Sequence, residues 1–244
     1  ISDSNILVKW RGRESPAGEV YKIRFSYIKG LLNLAAWLFS HYFEPHQTSS
    51  YNMSDRKHPA ALPFLFFSEM WERFGFYLLL AILQLYLTDA ETGGWAMDRK
   101  VAVDIFGTFI AFVYLTPFVG GLLADRKLGY TKSIIIGGIL MGIGYMGLAV
   151  QNLTVFYLSL GLICVGNGFF KPNISTLLGN VYNDPKYKDR KDIGYNIFYM
   201  GINIGAFICT FFAAYLRNSI NWGAAFMAAG IGMFLGVIIF VIGL

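Results

Sequence analysis

The chain has 244 residues, of which 55% are apolar and only 14% charged, with a formal net charge of +5 and a mean hydropathy of +0.49. A water-soluble domain carries about a quarter charged residues, so a surface bathed in water on all sides is excluded. The basic residues lie before Met53 or in short segments between apolar runs, with no basic face interleaved with aromatics, which excludes a nucleic-acid partner.

The first 52 residues differ in kind from the rest. Lys9, Arg11, Arg13, Lys22, Arg24 and Lys29 precede an apolar patch, residues 31–43. That patch falls short of the roughly 17–25 residues that a spanning helix needs. It suits an interfacial helix or a signal-peptide core, although Glu44-Pro45-His46-Gln47 follows where a small-residue cleavage site would stand. We read residues 1–52 as a basic N-terminal extension upstream of a natural start at Met53, and residues 53–244 as one domain.

From Met53 onward, apolar runs cover about 60–88, 101–124, 132–150, 153–178, 193–216 and 221–244. Each is long enough to cross a hydrocarbon core of ~30 Å as a helix. They are too long and too continuously apolar for barrel strands, which alternate over roughly 10 residues. The expected fold class is therefore an all-α membrane protein with a bundle of six transmembrane helices. In the third run, Gly137, Gly138, Gly142 and Gly144 suit close helix approach in lipid, where apolar burial gives no drive. Cys164 and Cys209 lie inside apolar runs without Cys-x-x-Cys spacing and read as packing residues, not metal ligands.

Loop charge sets the orientation. Arg56, Lys57 and His58 precede the first span; Arg126, Lys127 and Lys132 follow the second; Lys186, Lys188, Arg190 and Lys191 follow the fourth. The alternate loops are poorer in Lys and Arg. By the positive-inside rule the N-terminus is cytoplasmic, in the cell (inner) membrane if the source is bacterial.

Charges inside the spans carry the functional signal. Glu69, Glu72 and Arg73 share one face of the first span. A charge at a helix centre costs about 2.5–3.5 kcal/mol on insertion scales, so three together face one another or a wet cavity. Two acids against one base leave a carboxylate that needs a cation or a proton, which suits a proton-coupled carrier. In the fourth span Lys171 precedes Pro172. The proline frees a carbonyl and can kink the helix, and Lys171 is the natural partner of Glu69 or Glu72. Asn203 in the fifth span and Tyr114, near Pro117 in the second, are compatible with packing or with substrate contact. The three histidines, His41, His46 and His58, all precede the first span, where His58 is a juxtamembrane residue. No nucleophile–base set, H-E-x-x-H or phosphate loop occurs, so the chain is read as neither an enzyme nor an ATP-driven pump, with no cofactor beyond protons as coupling ion.

Four segments resemble one family. Glu69-x-x-Glu72-Arg73-Phe74-Gly75-Phe76-Tyr77 is similar to the first-helix signature of the proton-dependent oligopeptide transporters of the major facilitator superfamily. The run from Gly120 through Asp125 and Arg126 to Gly129 resembles the superfamily motif between the second and third helices. The segments around Lys171-Pro172-Asn173 and around Asn203-Ile204-Gly205 resemble the family's fourth- and fifth-helix motifs. The resemblance implies two six-helix bundles around a midplane cavity, worked by alternating access. This chain would be the N-terminal bundle, with the C-terminal bundle absent and as its partner, so that alone it would not transport. Glu69, Glu72, Arg73 and Lys171 would couple protons, and Tyr77, Tyr114, Lys171 and Asn203 would line the pocket for short peptides. Asp125 and Arg126 would belong to a gating loop. Leu80 stands where family members often place an arginine, and Phe76 where one of two paired tyrosines falls, which bears on substrate preference. Rivals are a same-fold transporter of an anion, drug or sugar, a membrane enzyme, and a non-transporting truncated product.

Overall fold

The computed structural model describes residues 58–244; the expectations for residues 1–52 fall outside them. Six long helices follow one another: α1 Ala61–Thr88, α2 Arg99–Leu123, α3 Tyr130–Leu148, α4 Leu153–Val181, α5 Lys191–Ser219 and α6 Trp222–Ile242. Polar side chains start three of them. Asp98 accepts from the Lys100 amide at 2.8 Å, Asn152 from Val155 at 3.1 Å and Asn221 from Ala224 at 2.8 Å, filling donors that a helix start leaves open.

The helices match the six apolar runs with shifted ends. α4 continues to Val181, and α5 covers Lys191 to Ser219, because a helix carries its polar ends past the hydrocarbon. The larger difference follows α2. Ala124–Leu128 is a π-helical turn, and Gly129 at φ 77° reverses the chain into α3. Asp125 and Arg126 thus stand on a helical turn instead of a loop.

Among the described residues, α2 to α6 are long and apolar enough to cross a membrane. α1, with 28 residues and thus ~42 Å long, fails on composition alone, because Glu69, Glu72 and Arg73 interrupt it. It is also deeply enclosed, packed along α5 and α6.

The packing has a repeat. The principal contacts are α3 with α4, α1 with α6, α1 with α5, α2 with α4, and α3 with α6. Exchanging α1 with α4, α2 with α5 and α3 with α6 maps this set onto itself, the pattern of two three-helix units of inverted topology. α2 and α5, equivalents in that repeat, are the least buried helices. The expected glycine contacts are present. Gly137 and Gly166 meet reciprocally where α3 crosses α4: a Cβ on either would lie 2.6 Å from the other's carbonyl oxygen. Gly138 and Gly142 face Val237 and Phe234 of α6.

At the end where α1 finishes, Asp89 gathers the chain. Its carboxylate accepts from the Thr92 amide and hydroxyl, the Gly94 amide, and Trp222 Nε1 at 2.9 Å. Burial pushes this carboxyl up, but the hydrogen bonds outweigh it and hold Asp89 well below the usual carboxylate range. Tyr86 packs within 6.4 Å of the rings of Trp95, Phe156, Trp222 and Phe226 beneath it.

Candidate functional site

The centre of α1 is a closed ionic cluster. Glu69, four residues before Arg73, places Oε1 3.2 Å from Arg73 Nε. Glu72 is bidentate: Arg73 Nη2 donates to its Oε1 at 2.6 Å, and Arg73 Nε donates to its Oε2. The guanidinium lies 5.1 Å over the Phe76 ring. Exposure is 3%, 0% and 3% for Glu69, Glu72 and Arg73, so the group is dry. Such burial is tolerable only with the charges paired and hydrogen-bonded. One fork cannot saturate two carboxylates, and Glu69 Oε2 is buried without a hydrogen-bond partner.

Lys171 does not form the expected pair with a glutamate. Among the described residues it has no carboxylate within ion-pair distance, and its ammonium sits 5.5 Å over the ring of Tyr114 on α2. Arg73, one turn from Glu69 and adjacent to Glu72, reaches both acids within its own helix and so displaces the cross-helix pair. Lys171 is half-buried on α4 and still close enough to interact electrostatically with Arg73, Glu72 and Glu69. Tyr114 is 71% exposed, so the Lys171–Tyr114 pair borders an open face while the α1 cluster lies behind it.

The other expected residues are placed more loosely. Tyr77 is half-buried and interacts electrostatically with Arg73. Asn203 is exposed on α5. Neither makes a side-chain hydrogen bond or ion pair among the described residues. Leu80 is half-buried against the apolar core. Asp125 and Arg126 are exposed on the π-helical turn. His58 is more than juxtamembrane: its Nδ1 lies 2.6 Å from the hydroxyl of Tyr182, which is fully buried just after α4. Burial first, and the charge of Arg190 second, hold His58 below its usual value.

Sequence reasoning missed Asn167. Pro117 has no N–H for the Val113 carbonyl four residues earlier, and Asn167 Nδ2 on α4 donates to that oxygen at 3.1 Å. Thr116 Oγ1 donates to the Cys164 carbonyl at 2.7 Å across the same interface. The signal lay in the proline: a freed carbonyl in lipid needs a donor on a neighbouring helix. At Pro172 the helix runs on unbroken, and the carbonyl oxygen it frees, on Gly168, lies against the backbone of α2 at Gly120.

Comparison with known proteins bears on the family and the fold. Residues 131–244 match the POT family. The chain is 41% identical over 185 residues to an uncharacterised transporter of Bacillus subtilis, YclF, covering 75% of this chain and 37% of that protein. It is 40% identical over 179 residues to a di-/tripeptide transporter of Lactococcus lactis, covering 72% of this chain and 36% of the relative. A crystal structure of the peptide transporter POT in complex with sulfate superposes with a TM-score of 0.72 at 37% identity, covering 80% of this chain and 39% of that one. The chain thus spans little more than a third of the length of these relatives, and it belongs to the proton-dependent oligopeptide transporter (POT) family of the major facilitator superfamily.

Proposed function

We propose that this chain forms one bundle of a proton-coupled symporter of di- and tripeptides that works by alternating access. The observation that carries the reading is the dry Glu69–Glu72–Arg73 cluster with a surplus carboxylate and an orphaned Glu69 Oε2. A buried excess of negative charge is relieved by a proton or by an ammonium group. The coupling ion and the amino end of a peptide supply those two things. Lys171 then offers a cation to the peptide carboxylate at the open edge of the site, with Tyr114, Tyr77 and Asn203 as further lining.

The partner implied is a second bundle packed against the least buried helices, α2 and α5, with lipid around the remainder and the N-terminus in the cytoplasm. Asp125 and Arg126 belong to the cytoplasmic gate between the two bundles. No catalytic step and no cofactor other than protons enters this scheme.

The test is uptake of labelled dialanine by the full-length protein in liposomes, with an inward proton gradient switched on or off. Gradient-dependent uptake that is lost in Lys171→Ala supports both substrate and site. A folded protein that moves no dipeptide keeps the fold but removes peptides as substrate, with Leu80 the first residue to exchange.

A further inference from the structure

Among the described residues, three buried polar atoms outside the ionic cluster lack partners: Nε1 of Trp95 beyond the end of α1, and, in fully buried residues within the bundle, the hydroxyl of Tyr145 on α3 and Oδ1 of Asn167 on α4. In native interiors such atoms are served by protein or by a held water. The amide orientation of Asn167 is set by chemistry, because its nitrogen is committed to the Val113 carbonyl, which can only accept. Its Oδ1 therefore awaits a donor, while Tyr145 has a free donor to give.

Packing brings the Tyr145 hydroxyl towards Glu72. The Tyr145 ring lies on Gly75, where a Cβ would meet ring Cε2 at 3.2 Å and Cζ at 3.6 Å. Gly75 is three residues beyond Glu72, on the same side of α1. α3 and α4 run antiparallel, with Gly144 against Ile163 and Gly137 against Gly166. Side chains lean towards the start of their own helix, so Tyr145 reaches along α3 towards the level of Asn167. Tyr145 interacts electrostatically with Glu72, Arg73 and Cys164, and Cys164 is one turn before Asn167 on α4.

We propose that Tyr145 and Asn167 bind a buried water molecule that hydrogen-bonds the Glu72 carboxylate, making Tyr145 a positioning residue for that carboxylate. The hydrogen-bond directions balance. The water accepts from Tyr145, donates one hydrogen to Asn167 Oδ1 and donates the other to Glu72, which retains lone pairs beyond those used by Arg73. Three bonds is the usual number for an internal water. The site ties the charge of α1 to α3 and α4, and through Asn167 to the Val113 carbonyl of α2. Its occupancy is independent of what is transported; its part in proton handling rests on the function proposed above.

Infrared difference spectra between neutral and acid pH, recorded on the full-length protein in lipid with ordinary and 18O-labelled water, test this. The wild type shows a water O–H band that moves with the oxygen isotope. Tyr145→Phe keeps the ring packing and the thermal midpoint but loses that band, and the carboxyl band assigned through Glu72→Gln changes its titration midpoint. No isotope-sensitive band in the wild type overturns the proposal, as does a band and midpoint unchanged in Tyr145→Phe. Absence of dialanine uptake in a wild type that shows the band removes the transport reading and leaves the water site standing.

Discussion

Helices α1 and α4 hold equivalent positions in the repeat, yet they treat buried polarity in opposite ways. α1 closes its charges on itself: Glu69, Glu72 and Arg73 are joined within one turn. α4 sends its two central polar groups outward, Asn167 to the Val113 carbonyl of α2 and Lys171 to the ring of Tyr114, while Asn173 beyond them returns to the Phe169 carbonyl of its own helix. The difference follows from chemistry. A guanidinium can grip two carboxylates of its own helix, whereas the Asn167 amide and the Lys171 ammonium look to a neighbour. α1 therefore keeps its charge network intact when surrounding helices shift, while the contacts of α4 depend on where α2 stands.

The comparison breaks most sharply at Arg73. Arg73→Met leaves two buried carboxylates unpaired and costs about 3–5 kcal/mol, read as loss of folded protein in thermal unfolding. Next comes the interface that α4 shares with α2. Gly120→Ala drives a methyl into the Gly168 carbonyl and costs roughly 1–3 kcal/mol by overpacking, measured by the same assay. Asn167→Leu removes one interhelical hydrogen bond, worth about 0.6–1.7 kcal/mol in membrane proteins. A loss equal to that of Arg73→Met would erase the distinction drawn between the two helices. Within α1, Glu69→Gln destabilises less than Glu72→Gln, because Glu69 makes one contact and leaves Oε2 unpartnered whereas Glu72 is bidentate.

The smallest expected effect is a pH dependence at His58. Its value is lowered in the fold, so the unfolded chain takes up the proton first and stability falls as pH drops below the usual histidine value of about 6.5. The wild type should lose a little thermal stability between neutral and mildly acidic pH, and His58→Phe should flatten that slope. An identical slope in the variant would assign the effect to another group.

Much of this was readable in the residues. Unbroken apolar runs dictate helices whose backbone is satisfied internally, so α2 to α6 follow from length and composition, while α1 follows from its length and from charges spaced to share one helical face. The spacing of Glu69, Glu72 and Arg73 puts them on one face whatever surrounds them. The partner of Lys171 was not readable, because two cations compete for the same acids and only geometry shows that Arg73 reaches them first. Nor was the link from Asn167 to Val113, since the distance between α2 and α4 is set by the absence of side chains at Gly120 and Gly168. The π-helical turn at Ala124–Leu128 carries no composition that separates it from a short charged loop.

The reciprocal meeting of Gly137 and Gly166 has a mechanical consequence. Where side chains separate two helices, the helices slide by exchanging rotamers, which act as compliant spacers. Where backbone rests on backbone no such spacer exists, and relative movement requires the helices to part. α3 and α4 therefore behave as one stiff lever, and a displacement applied at either end of the pair arrives at the other undamped.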